Sequence, residues 1–207
     1  PKHARENAHW RRDIIASCEA NKDIRADIAA RVRRSPLLFY NLFCWTFRPW
    51  HYDETGRQRK LPDDQRRQLF ITWPCQDREI VAMHRCVEEG KHIWAVKSRE
   101  MGWTWTVLTY VVWRFLFFRE FNSLVTSRKQ EEVYSAGDPD TLFEKLQYNL
   151  SKDVLPSWIL PGYDVKELQL KNPITKSTIA GESTNIHIGR SGRRDIVLVD
   201  EAAAVPD

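Results

Sequence analysis

The chain has 207 residues, 42% hydrophobic and 29% charged, enough to bury a core as one domain or as one domain with a helical extension. No apolar run reaches the roughly 18 residues of a membrane span, and the longest patch, 111-VVWRFLFF-118, is broken by Arg114; the N-terminus has no signal-peptide core either. Net charge is +4 but uneven: residues 1–60 carry 13 Lys and Arg against 7 Asp and Glu, an excess that suits a polyanionic partner or a solvated helical face equally.

Residues 7–34 place Trp10, Ile14, Ile15 and Cys18, then Ile24, Ile28 and Val32, near helical spacing. This predicts one or two amphipathic helices ending in Arg31, Arg33 and Arg34, where cations suit the helix dipole. Ser35-Pro36 stops the helix. The aromatic run 37-LLFYNLFCWTF-47 is expected to pack on the main body, and 51-HYDETGRQRKLPDDQRR-67 to be an exposed connection.

Beyond it the texture changes. A helix is expected over about 76–90, with Ile80, Val81, His84 and Val87 on one face and Gly90 at its end. Next, 92-HIWAV-96 reads as a buried strand, 103–118 as an apolar helix, 122-NSLVTS-127 as a second strand and 141-TLFEKLQYNL-150 as an amphipathic helix. Pro156, Pro161 and Gly162 mark turns; 165–188 suggests a strand or hairpin pair, and 196-IVLV-199 a short buried strand. Strands alternating with helices predict an α/β fold with a mainly parallel sheet covered on both faces. The four cysteines, Cys18, Cys44, Cys75 and Cys86, form no C-x-x-C pair; reduced, mostly buried thiols are expected, disulfides being the alternative. No histidine spacing suggests a zinc site.

Two stretches carry chemistry. In 195-DIVLVDEAAAVPD-207 a central, buried strand would end in adjacent carboxylates, and ligands of open α/β sheets sit at such strand ends. Asp200 would then bind Mg²⁺ and Glu201 would orient an attacking water, the alternative being an apolar strand followed by a solvated acidic turn. Successive strand side chains face opposite ways, so the chain must bend after the strand if both acids are to serve one site.

The second stretch, 96-VKSREMGWTW-105, has the outline of a phosphate-binding loop opening a helix. Gly102 permits close approach and Thr104 stands where a Mg²⁺-binding hydroxyl belongs. Trp103 occupies the usual lysine position, so the cation must come from Lys97 or Arg99. Glu100 would repel phosphate if turned inward and is expected to face solvent. The stripe Trp105, Trp113, Phe117 reads as helix core, and Gln76 could cap its own helix.

Together these residues resemble the ATPase domain of large terminase subunits, the DNA-packaging motors of tailed bacteriophages. 73-WPCQ-76 resembles the family's adenine-recognising motif, and 97-KSREMGWT-104 its deviant Walker A. 126-TSRKQEEVYSAGDPDTLFEKL-146, 178-TIAGEST-184 and 189-GRSGRRDIVLVDEAA-203 resemble further segments of one terminase branch. The match runs from about residue 36 to the end.

The resemblance implies a P-loop NTPase of the RecA/ASCE-like kind over 61–207, with a helical N-terminal extension over 1–60. It implies ATP and Mg²⁺ as cofactors, with Gln76, Lys97, Ser98, Arg99, Glu100, Met101, Gly102, Trp103 and Thr104 around the nucleotide. Thr104 and Asp200 would hold the metal, and Glu201 would be catalytic with Arg190 as arginine finger, Arg193 and Arg194 being alternatives. The implied partners are double-stranded DNA, the portal protein, the small terminase subunit and further copies of the chain in a ring. The implied setting is the host cytoplasm, with no membrane. Because the family's later strands and RNase H-like nuclease have no counterpart here, the chain is expected to be a piece of a longer protein. A helicase-like translocase and a degenerate, non-hydrolysing binding module are the alternatives.

Overall fold

Asn21 divides the N-terminal amphipathic stretch in two. The computed structural model describes residues 1–96, 101–160, 162–184 and 192–201. In it α1 (Ala4–Ala20) stops where Asn21 turns extended, and Asn21 Oδ1 accepts from the amides of Asp23 and Ile24 to cap α2 (Lys22–Arg34). The break repeats at Ser35, whose hydroxyl accepts from Leu38 N at 3.2 Å. Pro36, which has no amide hydrogen to leave unpaired, opens α3 (Pro36–Phe43). Ser35-Pro36 therefore ends one helix and begins the next.

The chain divides into two compact units, Pro1–Trp73 and Pro74–Asp207. In the first, α3 buries Phe39, Tyr40, Leu42 and Phe43. Arg11 is buried beside it and donates to the carbonyls of Cys44 (2.6 Å), Tyr40 (3.2 Å) and Phe70 (3.1 Å) and to Asn7 Oδ1 (2.6 Å). A guanidinium suits this place because its several N–H donors can serve three carbonyls and a side-chain oxygen at once. Burial nonetheless lowers its pKa to about 10. The polar stretch after α3 is structured: β1 (Trp45–Phe47) pairs antiparallel with β4 (Arg67–Leu69), and β2 (Trp50–Tyr52) with β3 (Gln58–Lys60).

The second unit opens with α4 (Pro74–Glu88), ended by Gly90 at φ +64, with Lys91 N bonded to Cys86 O and Gly90 N to Val87 O. Its buried face is Gln76, Ile80 and Met83, whereas Val81, expected inside, is exposed. α5 (Trp103–Phe117) is apolar nearly all round and largely buried, with Trp113 fully enclosed. β5 (Asn122–Ser127), α6 (Gln130–Val133) and α7 (Leu142–Asn149) follow, then β6 (Asp164–Lys166), β7 (Gln169–Lys171), β8 (Thr178–Ser183) and β9 (Ile196–Val199).

The sheet corrects the expected fold class. Its order is β6-β7-β8-β5-β9, with β5 parallel to β8 and β9 but β6–β7 and β7–β8 antiparallel. The result is a mixed sheet with two small antiparallel pairs elsewhere, not the mainly parallel P-loop sheet. Connection length explains it: parallel neighbours need a crossover of a dozen residues or more, which the chain between β5 and β8 supplies. The links from β6 through β7 to β8 are too short for one.

Two strand expectations also fail. Residues 92–96 form no strand; Trp94 is 86% exposed and Val96 fully so. β9, expected central and buried, lies last in the order and is half-exposed, Val197 at 42%. Among the described residues no strand covers its outer edge.

Candidate functional site

α5 begins at a left-handed residue. Gly102 has φ +69 and ψ 13, and among the described residues no side chain caps the helix start behind it. Thr106 donates its amide (2.9 Å) and hydroxyl (3.0 Å) back to Gly102 O, which closes the first turn; the leading amides of a helix have no intrahelical partner. The loop is braced by Gln76, only 6% exposed, whose Nε2 donates to Met101 O at 3.1 Å. A Cβ on Gly102 would stand 3.3 Å from that same nitrogen.

Opposite lies the end of β9. Asp200 N donates to Thr126 O at 2.9 Å, continuing the β5–β9 ladder one step past Val199. Thr104 Oγ1 donates to Asp200 Oδ2 at 3.1 Å, joining the first turn of α5 to the end of β9. Glu201 then adopts φ +54, with its amide 3.2 Å from Asp200 Oδ1. The chain therefore bends directly after β9, as bringing both acids to one site would require.

Glu201 Oε2 is 3.3 Å from Arg128 Nε, which also binds Glu132 Oε1 at 2.6 Å. Ser127 Oγ holds the other Glu132 oxygen at 2.9 Å. Arg128, directly after β5, thus stands between two carboxylates.

A second cation was not legible in the sequence. Lys145, on α7, has a side chain only 11% exposed; it donates to Asp140 O, lies 3.9 Å from Asp140 Oδ1 and sits 6.0 Å above the Trp105 ring. Burial lowers its pKa, opposed by the negative charges of Asp140, Asp200 and Asp138. Arg128 and Lys145 both fall in 126-TSRKQEEVYSAGDPDTLFEKL-146; only the fold shows that its two ends return to one place.

Among the other expected site residues, Met101 is 40% exposed and Trp103 partly buried at the helix start. Lys97, Ser98, Arg99, Glu100 and Arg190 lie outside the described residues. Arg194 donates to Asn122 Oδ1 at 2.5 Å, and Arg193 O accepts from Asn122 Nδ2 at 3.0 Å. Both clamp the start of β9 to the start of β5. Six extended residues, about 20 Å, separate Arg194 from Asp200 along the strand.

The donor set suits magnesium. Thr104 Oγ1 and Asp200 Oδ2 are hard oxygens 3.1 Å apart; adjacent ligands of an octahedral Mg²⁺ at about 2.1 Å are separated by about 3.0 Å. Among the described residues no group of three or more His, Cys, Asp or Glu is placed to hold a metal; Mg²⁺ commonly takes few protein ligands and leaves the rest to water and phosphate. A helix start, where the leading amides lack intrahelical partners, suits an anion.

The chain matches no protein-family model and no curated protein. Among the described residues no helix is long and apolar enough to cross a membrane.

Proposed function

We propose that this chain is the ATP-hydrolysing part of a viral DNA-packaging terminase large subunit, working in the cytoplasm of a bacterial host. One observation carries the reading: the Thr104–Asp200 contact, which sets a hydroxyl and a carboxylate 3.1 Å apart at the first turn of α5. The reading draws on α5 and the parallel β5–β9 pair of the mixed sheet.

In this reading the amides at the start of α5 bind phosphate oxygens, with Gly102 allowing close approach and Lys97 or Arg99 supplying the cation absent at Trp103. Gln76, already bonded to the loop at Met101, is the candidate for adenine recognition. Thr104 and Asp200 would hold Mg²⁺, whose charge offsets that of the phosphates. Glu201 orients the attacking water, and Arg190, from this chain or a ring neighbour, stabilises charge on the transferring phosphoryl group. Double-stranded DNA, the portal protein and the small terminase subunit are the proposed partners.

The test is a steady-state ATP hydrolysis assay with and without Mg²⁺ and double-stranded DNA. Glu201→Ala should lose roughly 10²–10⁴-fold in turnover while still binding nucleotide. Equal turnover in parent and variant would refute the assignment.

A further inference from the structure

β5 and β9 run parallel with Thr126 opposite Val199, and the ladder continues where the Asp200 amide donates to Thr126 O. Two residues beyond that pair the same register sets Arg128 opposite Glu201, and Arg128 Nε lies 3.3 Å from Glu201 Oε2. Arg128 is itself fixed. Its Nε donates to Glu132 Oε1 at 2.6 Å, and Ser127 Oγ donates to Glu132 Oε2 at 2.9 Å, so both oxygens of that carboxylate are engaged. Arg128 and Glu201 are open to solvent, with side chains 44% and 54% exposed, and exposed ion pairs add little to stability. What such a contact can set is the direction and charge state of a side chain.

We propose that Arg128 is the positioning residue of Glu201: it anchors one carboxylate oxygen, Oε2, and keeps the group ionised, so that Oε1 is presented to the attacking water. The inference rests on the hydrolysis reading above and adds the residue that holds its water-orienting group. Glu132 and Ser127 act one step further back, by fixing the guanidinium. The cation favours the ionised form of Glu201, whereas the neighbouring Asp200 and, across the guanidinium, Glu132 oppose it.

The experiment uses the whole chain and reads two quantities: the Glu201 carboxyl pKa, by NMR titration of nucleotide-free protein, and kcat and KM for ATP hydrolysis. Arg128→Met removes the charge from a side chain of similar reach, and should raise the Glu201 pKa by about half a unit or more. Its kcat should fall about tenfold with KM for ATP within about twofold of the parent's, the pattern of a group needed only in the transition state. Arg128→Lys keeps the charge and should restore the parent's Glu201 titration and part of the turnover, which a purely structural role would not require. If Arg128→Met does not fold, Arg128→Gln carries the same expectations. A Glu201 pKa unmoved in the neutral variant overturns the positioning role, as does a moved pKa with kcat unchanged or raised, or with KM alone altered. If Glu201→Ala still loses turnover, the hydrolysis reading then stands without it. Equal turnover in the parent and Glu201→Ala, none in either included, overturns both.

Discussion

Thr104 and Asp200, 96 residues apart, meet through a 3.1 Å hydrogen bond between hydroxyl and carboxylate. The contact ties the N-terminal turn of α5 to the last step of the β5–β9 ladder. Thr104→Val keeps the side-chain shape and removes the hydroxyl. Loss of one hydrogen bond should cost about 1 kcal/mol of stability, whereas Mg²⁺-dependent affinity for an ATP analogue should fall by about tenfold or more. Paired thermal melts and binding titrations separate the two effects.

Gly102 is required by its backbone and by its neighbour. At φ +69 a side chain is strained, and its Cβ would press on Gln76 Nε2 at 3.3 Å. Gly102→Ala is expected to destabilise the fold by about 1–2 kcal/mol. It should also loosen the Gln76–Met101 bond and weaken nucleotide binding. Urea melts measure the first effect and analogue titration the second.

Gly181, inside β8, serves packing. A Cβ there would meet Phe143 Cε2 at 2.5 Å and Val133 Cγ1 at 2.9 Å, both parts of the interior. Gly181→Ala should therefore cost about 1–3 kcal/mol by overpacking, despite alanine's better strand propensity. A double variant with Phe143→Leu should recover part of the loss, which denaturant midpoints would reveal.

The β2–β3 hairpin depends on an ionised Asp53. Its Oδ1 accepts from the Thr55 hydroxyl (2.5 Å) and the amides of Thr55 (2.9 Å) and Arg57 (3.0 Å), and its Oδ2 from Arg59 Nε (2.5 Å). The Thr55 and Arg59 side-chain bonds lead in lowering its pKa from 3.8 to about 2. A carboxyl depressed in the folded state stabilises fully above its unfolded value, so the support is present above pH 3.8 and is lost as pH falls towards 2. NMR titration should show the Thr55 and Arg57 amides moving together near the lower value. A midpoint at the unfolded value would contradict the geometry.

Much of the chain's local structure is legible because its signals are local. The apolar run of α5, the polar break at Ser35, and Gly90 after α4 each act over a few residues. The segment 92-HIWAV-96 misleads for a physical reason: a β-branched, apolar run is strand-like only where a partner strand exists, and none pairs with it among the described residues. Strand direction in β6–β8 was readable from the short links, which exclude crossovers, yet the alternating pattern pointed to a parallel sheet.

The site divides in the same way. Gly102 with Thr104, and Asp200 with Glu201, are visible because each set closes an apolar run at an element boundary. Gln76 on the Met101 carbonyl, Arg128 between Glu132 and Glu201, and Lys145 over the Trp105 ring are tertiary contacts with no sequence period to announce them. A glutamine near a helix start and a lysine within an amphipathic helix are ordinary residues until the fold shows what they face.

The central claim is a nucleotide site built on Thr104 and Asp200. The most direct measurement is calorimetric titration of the protein with a non-hydrolysable ATP analogue, with and without Mg²⁺, in the parent and in Asp200→Asn. The expected result is one-to-one binding that requires Mg²⁺ in the parent and is at least tenfold weaker in the variant. No binding in the parent, or binding indifferent to both Mg²⁺ and Asp200, would contradict the account.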